Sequence, residues 1–320
     1  MTRQRITIAA SAVGLAVLGA GLAGCGSDDA ISEPPDAISE PPDPTVSPTV
    51  DVGTDGDRLG GYVLADDEFG TLTTVTVTET TRTIVTNALP DHETGEFPNS
   101  GNPNAISAQD RTWEFPTQPT FVGDQTWVMV PGVAVNGIKF EPETAETVEC
   151  ATGETYRVEA LQDTYDLGFD VNNAHVQPTG EYHYHGASQL LAEAAASDDD
   201  LVHVGFAADG YLMYYSMSGA YESGWELSTQ PRTGTNCIGS GALGRASVEV
   251  EGTLPDGVYV SDWLFDDAVG GLDECNGITI DGQYVYLITD DYPFVPRCLN
   301  GDVTGTPTPE RGQALPAPPG

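Results

Sequence analysis

Asp170-Val171-Asn172-Asn173-Ala174-His175-Val176-Gln177-Pro178-Thr179-Gly180-Glu181-Tyr182-His183-Tyr184-His185 reads as two short strands joined by a turn. Pro178, Thr179 and Gly180 supply the turn chemistry. Side chains alternate between the faces of a strand, so His183 and His185 share one side while Tyr182 and Tyr184 share the other. A hairpin turning at Pro178-Thr179-Gly180 brings His175 opposite the histidine pair. Two imidazoles on one strand face, about 6–7 Å apart at Cα, suit capture of a transition metal. A third from across the hairpin makes a three-His set with room for water or a further ligand. Zinc or copper is expected, since imidazole suits both. The alternative is a polar, aromatic hairpin whose histidines hold nothing.

The chain has five histidines, and four of them fall between 175 and 203. His203 is either a fourth ligand or a half-buried strand residue. Asp209, in Asp209-Gly210 between two apolar runs, is first a hairpin-turn residue. Its functional option is to orient a metal-bound imidazole from behind.

The same unit recurs further along. Asp273-Glu274-Cys275-Asn276-Gly277-Ile278 precedes Gly282-Gln283-Tyr284-Val285-Tyr286-Leu287, so that Asp, Asn, Gly and both Tyr return with one residue fewer between them. The three histidine positions hold Ile278, Val285 and Leu287 in the second copy. This is the pattern of a duplicated turn-strand unit with one metal site and one apolar counterpart.

Outward from these hairpins the chain is mostly β. Residues 71–86 alternate and are rich in β-branched types. Trp127–Val130 and Gly132–Val135 flank Pro131, and Asn136-Gly137 marks a tight turn before Ile138-Lys139-Phe140. Val248–Val250, Val258–Val260 and Tyr284–Thr289 are further strand candidates. Residues 88–126, rich in Pro, Asn, Gly and Asp, read as a long loop. The expected fold is mainly β, an antiparallel sandwich or barrel-like single domain over 59–303. One short helix is expected at about 187–196, where alanines surround Leu190 and Leu191.

Several motifs together resemble one family. Gly180-Glu181-Tyr182-His183-Tyr184-His185-Gly186 is similar to the motif that names the YHYH protein family. Gly132–Phe140, Asn172–His175, Gly205–Tyr211 and Leu272–Gly277 follow the family pattern in order, so the resemblance covers about 125–300. It implies an exported or anchored protein and brings no settled activity with it.

The chain ends point the same way. Arg3 and Arg5 precede an uncharged run from Ile6 to Leu22, then Leu22-Ala23-Gly24-Cys25. A basic start, a short apolar run and small residues before a cut site make a secretory signal over 1–24. The tetrad resembles a bacterial lipobox, which implies lipidation at Cys25 and a membrane-anchored lipoprotein on the extracytoplasmic side. Asp29–Pro35 recurs unchanged as Asp36–Pro42, inside an acidic, Pro-rich stretch over 25–58 that reads as a disordered tether. Residues 304–320 read as a Pro-rich loose tail.

The formal charge is −38, from 49 acidic and 11 basic residues, and Lys139 is the sole lysine. Such a chain repels nucleic acid, and no nucleic-acid partner is expected. Cys150, Cys237, Cys275 and Cys298 form an even set in an exported chain, which suggests two disulfides. Three connectivities are open, and Cys150–Cys237 with Cys275–Cys298 is the expected one.

Three functions compete: a metal-binding extracytoplasmic domain, a metal-free cell-surface module for glycan or an envelope protein, and a metal-free hydrolase with His183 or His185 as base. The last has no Gly-x-Ser-x-Gly elbow to support it.

Overall fold

The computed structural model describes residues 58–196 and 199–303. The expected signal peptide, Cys25, the tether up to residue 57 and the tail from 304 lie outside the described residues. Among the described residues, no helix is long and apolar enough to cross a membrane.

An eight-stranded sheet organises the molecule. Its strands are β1 (Gly132–Ala134), β2 (Lys139–Phe140), β3 (Ala174–Val176), β4 (Tyr182–Tyr184), β5 (Leu201–Ala207), β6 (Leu212–Ser216), β7 (Gly277–Ile280) and β8 (Gln283–Ile288). In space they run β3-β4-β2-β1-β5-β6-β8-β7. The sheet does not close into a barrel. Its pairings are antiparallel except for β4 beside β2 and β6 beside β8, which are parallel.

The order exposes a duplication deeper than the hairpins. A four-stranded centre, β2-β1-β5-β6, is built from two tight hairpins. Each centre hairpin receives a second hairpin alongside it, through β4 on one side and β8 on the other. The halves meet where Gly132 faces Ala207, Val133 faces Phe206 and Ala134 faces Gly205. That register is symmetric about its middle, so Gly132–Phe140 corresponds to Gly205–Met213, residue for residue. The two parallel joints agree: Tyr184 lies beside Phe140, and Tyr286 beside Met213.

Both centre turns follow their sequences. Asn136-Gly137 and Asp209-Gly210 close with Gly137 N–H donating to Ala134 O at 2.8 Å and Gly210 N–H donating to Ala207 O at 2.9 Å. Both glycines have positive φ, 88° and 93°, a conformation that Cβ disfavours. A Cβ on Gly137 would also meet the Thr86 hydroxyl at 2.3 Å.

A four-stranded meander, Tyr62–Asp66, Thr71–Val77, Thr81–Thr86 and Arg111–Pro116, shares one apolar core with the main sheet. Tyr62 Oη donates to Val135 O at 2.6 Å and Thr73 Oγ1 to Asn136 O at 2.7 Å, tying the layers at the turn. Here one sequence expectation is sharpened and another corrected. Residues 71–86 are two strands, because the Thr78 hydroxyl accepts from the Thr81 N–H and makes a turn without Gly, Pro or Asn. Residues 88–126 hold two strands, Arg111–Pro116 and Phe121–Trp127. In the first of them Trp113 and Phe115 alternate inward and are 2% exposed. Each contributes about 1.5–3 kcal/mol of burial.

The remaining elements are smaller. Glu143–Glu149, Thr155–Glu159, Cys237–Gly239 and Ser247–Val248 form a second sheet with its own core. Of the stretch 248–250 only Val248 is in a strand. Tyr259 of 258–260 makes an isolated bridge to Val158, and Val260 begins a 3-10 turn. The disulfides pair as expected, Cys150–Cys237 and Cys275–Cys298. The helix spans Gln189–Ala195, is capped by the Ser188 hydroxyl accepting from Leu191 N, and buries Leu191 and Ala192.

Candidate metal centre

The β3–β4 hairpin forms where the sequence places it. Gly180 N–H donates to Gln177 O at 2.8 Å, and His175 pairs directly with His183. His185 follows β4, held by its backbone N–H on Asn173 O at 2.8 Å. The Asn173 carbonyl can reach it because Asn173 sits at φ 54°, a left-handed conformation Asn tolerates.

The three imidazoles converge. Ring centroids are 4.8 Å apart for His175–His183 and His175–His185, and 4.7 Å for His183–His185. One nitrogen from each lies within 4.8 Å of the others, so that a single ion fits among them. His183 and His185 are 2% and 1% exposed. Phe169 stacks on His175 at 4.3 Å and meets His185 edge-on at 4.9 Å.

Tautomers can be worked out from the partners. The Leu167 carbonyl accepts from His175 Nδ1 at 2.9 Å, and the Glu181 carbonyl faces His183 Nδ1 at 3.3 Å. A carbonyl only accepts, so these Nδ1 atoms carry the proton and leave Nε2 with its lone pair. Backbone carbonyls orient metal-binding imidazoles in this way. His183 Nε2 then faces His185 Nε2 at 2.9 Å. That contact needs a proton or a cation between the two nitrogens. A proton on His185 Nε2 leaves its Nδ1 bare, and this buried Nδ1 has no hydrogen-bond partner among the described residues. The donor set therefore fits a cation.

Burial lowers the basicity of all three. It holds His175 below the ordinary imidazole range. It holds His183 and His185 well below, helped by the neighbouring imidazoles and by Lys139. Neutral imidazole is the form that ligates metal.

The structure adds residues that sequence reasoning missed. Phe140 lies beside Tyr184 in parallel register, so Lys139 and Glu141 flank it on the histidine face. Glu141 Oε2 lies 3.9 Å from His183 Nε2 and 2.8 Å from Lys139 Nζ, and accepts from Gln177 Nε2 at 2.8 Å. Glu181 joins through Lys139 at 3.6 Å and through a two-pronged bond from Arg111. The signal was available: a lone Lys and a Glu bracket Phe140 in an otherwise apolar strand. The fifth histidine, His92, serves the opposite face. Its Nδ1–H donates to Glu93 O, so its Nε2 accepts from Tyr184 Oη at 2.6 Å.

His203 and Asp209 are not brought to the trio. His203, on β5, donates from Nε2 to Gly205 O at 3.0 Å and packs on Phe206 and Tyr214. Burial lowers its pKa to about 4. Asp209 accepts from Tyr286 Oη at 2.6 Å and Gly301 N at 2.9 Å in the other half. The tyrosines Tyr182, Tyr184 and Tyr286 are fully buried in the core.

The second hairpin keeps the scaffold without the histidines. Tyr182 donates to Asp170 at 2.7 Å and Tyr284 to Asp273 at 2.8 Å. Leu287 N–H donates to Asn276 O at 2.8 Å, as His185 does to Asn173. No curated protein and no solved structure matches the chain. The model of the YHYH protein family matches residues 112–301, a span that holds both hairpins and more than half of the sequence, and the chain belongs to that family.

Proposed function

We propose that this protein binds one transition-metal ion through His175, His183 and His185, with zinc or copper as the ion. The observation that carries the reading is the convergence of three neutral imidazoles, with two Nε2 atoms 2.9 Å apart and a buried His185 Nδ1 left bare. Imidazole-only donor sets suit zinc and copper over the hard cations, which prefer oxygen. Bound metal would supply Lewis acidity. The chain's own contribution is to hold the rings through Leu167 O and Glu181 O and to keep a fixed carboxylate, Glu141, at the edge of the set.

The setting belongs to the same proposal. The lipobox-like Leu22–Cys25 supports export and a lipid anchor at Cys25, so that the metal comes from outside the cytoplasm. Radiolabelled palmitate incorporation that is lost in Cys25→Ser tests the anchor.

Elemental analysis of the purified chain tests the metal. Close to one equivalent of zinc or copper is expected, and His183→Ala is expected to lose it. A wild-type protein that takes up no stoichiometric metal overturns the reading, as does a folded His183→Ala variant that keeps it.

A further inference from the structure

Away from the histidines, a cleft of about 930 Å³ opens on the second half of the sheet. Ile278 and Val285, the counterparts of His175 and His183, lie in its wall. So do Phe121, Tyr211 and Tyr284, whose rings meet edge-on: Phe121–Tyr284 at 4.9 Å and Tyr211–Tyr284 at 5.0 Å. Phe121 is 53% exposed.

One residue in this wall is out of place. Arg82 lines the cleft, is 8% exposed, and among the described residues forms no ion pair with a carboxylate. Its Nη2 donates to Leu59 O at 2.9 Å, its guanidinium lies 3.9 Å over the Phe206 ring, and its buried Nη1 has no hydrogen-bond partner among the described residues. The titratable groups coupled to it are the buried, protonated Tyr62 phenol, over whose ring Arg58 also lies at 5.7 Å, and His203. A buried guanidinium held by one carbonyl and one ring face, with no carboxylate beside it among the described residues, is only partly compensated. The carboxylate in the wall, Asp273, is already spent. It accepts from the N–H groups of Cys275 and Gly277, from Tyr284 Oη and from Asn300 Nδ2.

We propose that this cleft is a second binding site, for a small organic monocarboxylate with a ring or apolar body. The carboxylate pairs with Arg82 and the body rests against Phe121, Tyr211 and Tyr284. The guanidinium fork matches a carboxylate, and mixed apolar and polar lining is the usual character of a small-molecule site. A charge of −38 repels anions at long range, so a ligand with a single charge is favoured over phosphate or a polyanion. This site is independent of the metal proposal and stands or falls without it.

Titration calorimetry and saturation-transfer NMR on the full chain decide it. The probes are glucuronate and cyclohexanecarboxylate, with glucose and cyclohexanecarboxamide as neutral counterparts. At least one acid is expected to bind about tenfold or more tightly than its counterpart. Arg82→Gln removes that preference, while Tyr211→Ala weakens acid and counterpart alike. Inorganic phosphate does not compete. Failure of both acids to bind overturns the proposal, as does equal binding of acid and counterpart or equal competition by phosphate. If Arg82→Gln does not fold, the acid-to-neutral ratio of the wild type and the Tyr211→Ala result still decide.

Discussion

The two halves of the main sheet share a scaffold and differ on one face. Asn136 and Asp209 occupy the same turn position and reach the same tyrosine, Tyr184 in one half and Tyr286 in the other. Asp170 and Asp273 fix the same hairpin entry. On the first half's remaining face stand Lys139, Glu141, His175, His183 and His185. On the second half's stand Leu212, Tyr214, Ile278, Val285 and Leu287, of which Val285 and Leu287 are core residues. The second half shows that this hairpin needs no histidine to fold. Burying polar groups where apolar ones suffice costs stability unless they are paired, so the first face calls for the partner that the proposed ion would supply.

The comparison breaks most sharply if one half is converted into the other. The triple variant His175→Ile, His183→Val, His185→Leu is expected to lose all stoichiometric metal. It is also expected to be at least as stable as metal-free wild type in urea. Wild type should gain about 3–4 kcal/mol when free metal exceeds the dissociation constant 100- to 1,000-fold, and the triple variant should gain nothing. A variant that unfolds outright would show that the histidines are structural and that the two halves are not equivalent.

Much of this contrast is legible in the sequence. Period-2 alternation put His183 and His185 together, Pro178 to Gly180 set the turn, and the recurrence of Asp, Asn, Gly and Tyr marked the second copy. The cysteine pairing was legible too. The deeper repeat, Gly132–Phe140 with Gly205–Met213, was not, because few residues beyond the glycines and Ala134/Ala207 are shared and the symmetry lives in strand register. Lys139 and Glu141 escaped because their place on the histidine face depends on a parallel pairing across forty residues. The turn at Thr78–Thr81 escaped because a hydroxyl does the work usually given to glycine.

The turn residues sharpen the comparison next. Asp209→Ala strips Tyr286 Oη and the Gly301 N–H of their acceptor in a buried place. A loss of about 3–5 kcal/mol is expected by urea denaturation. Asn136→Ala should cost less, about 1–2 kcal/mol, because Tyr184 keeps its bond to His92. Equal losses would mean that the two tyrosines are not held in equivalent ways.

Acid should separate the halves as well. His203 in the second half corresponds to Val130 in the first. With a pKa of about 4 when folded against about 6.5 unfolded, His203 binds its proton more readily in the unfolded chain. Stability from this group is therefore complete above pH 6.5 and is lost as pH falls towards 4. The loss is roughly 3 kcal/mol. The metal-face histidines act in the same direction, so His203→Val should flatten the acid limb of the stability profile without abolishing it. An unchanged limb would place the acid sensitivity wholly in the first half.

The smallest expected effect tests how far the first face depends on its surroundings. Phe169 stands where the second half has Leu272, one residue before the shared Asp. It stacks on His175 at 4.3 Å and touches His185 edge-on, so it fixes two of the three rings. Phe169→Leu keeps an apolar side chain of the kind the second half tolerates, and the loss of stability should be about 1 kcal/mol. His175 Nδ1 remains tied to Leu167 O and His185 remains tied through its backbone. Metal stoichiometry should therefore stay at one, with affinity falling by less than tenfold in a competition titration. A complete loss of metal would assign the ring orientation to packing; retention assigns it to the two carbonyls, which a leucine leaves in place.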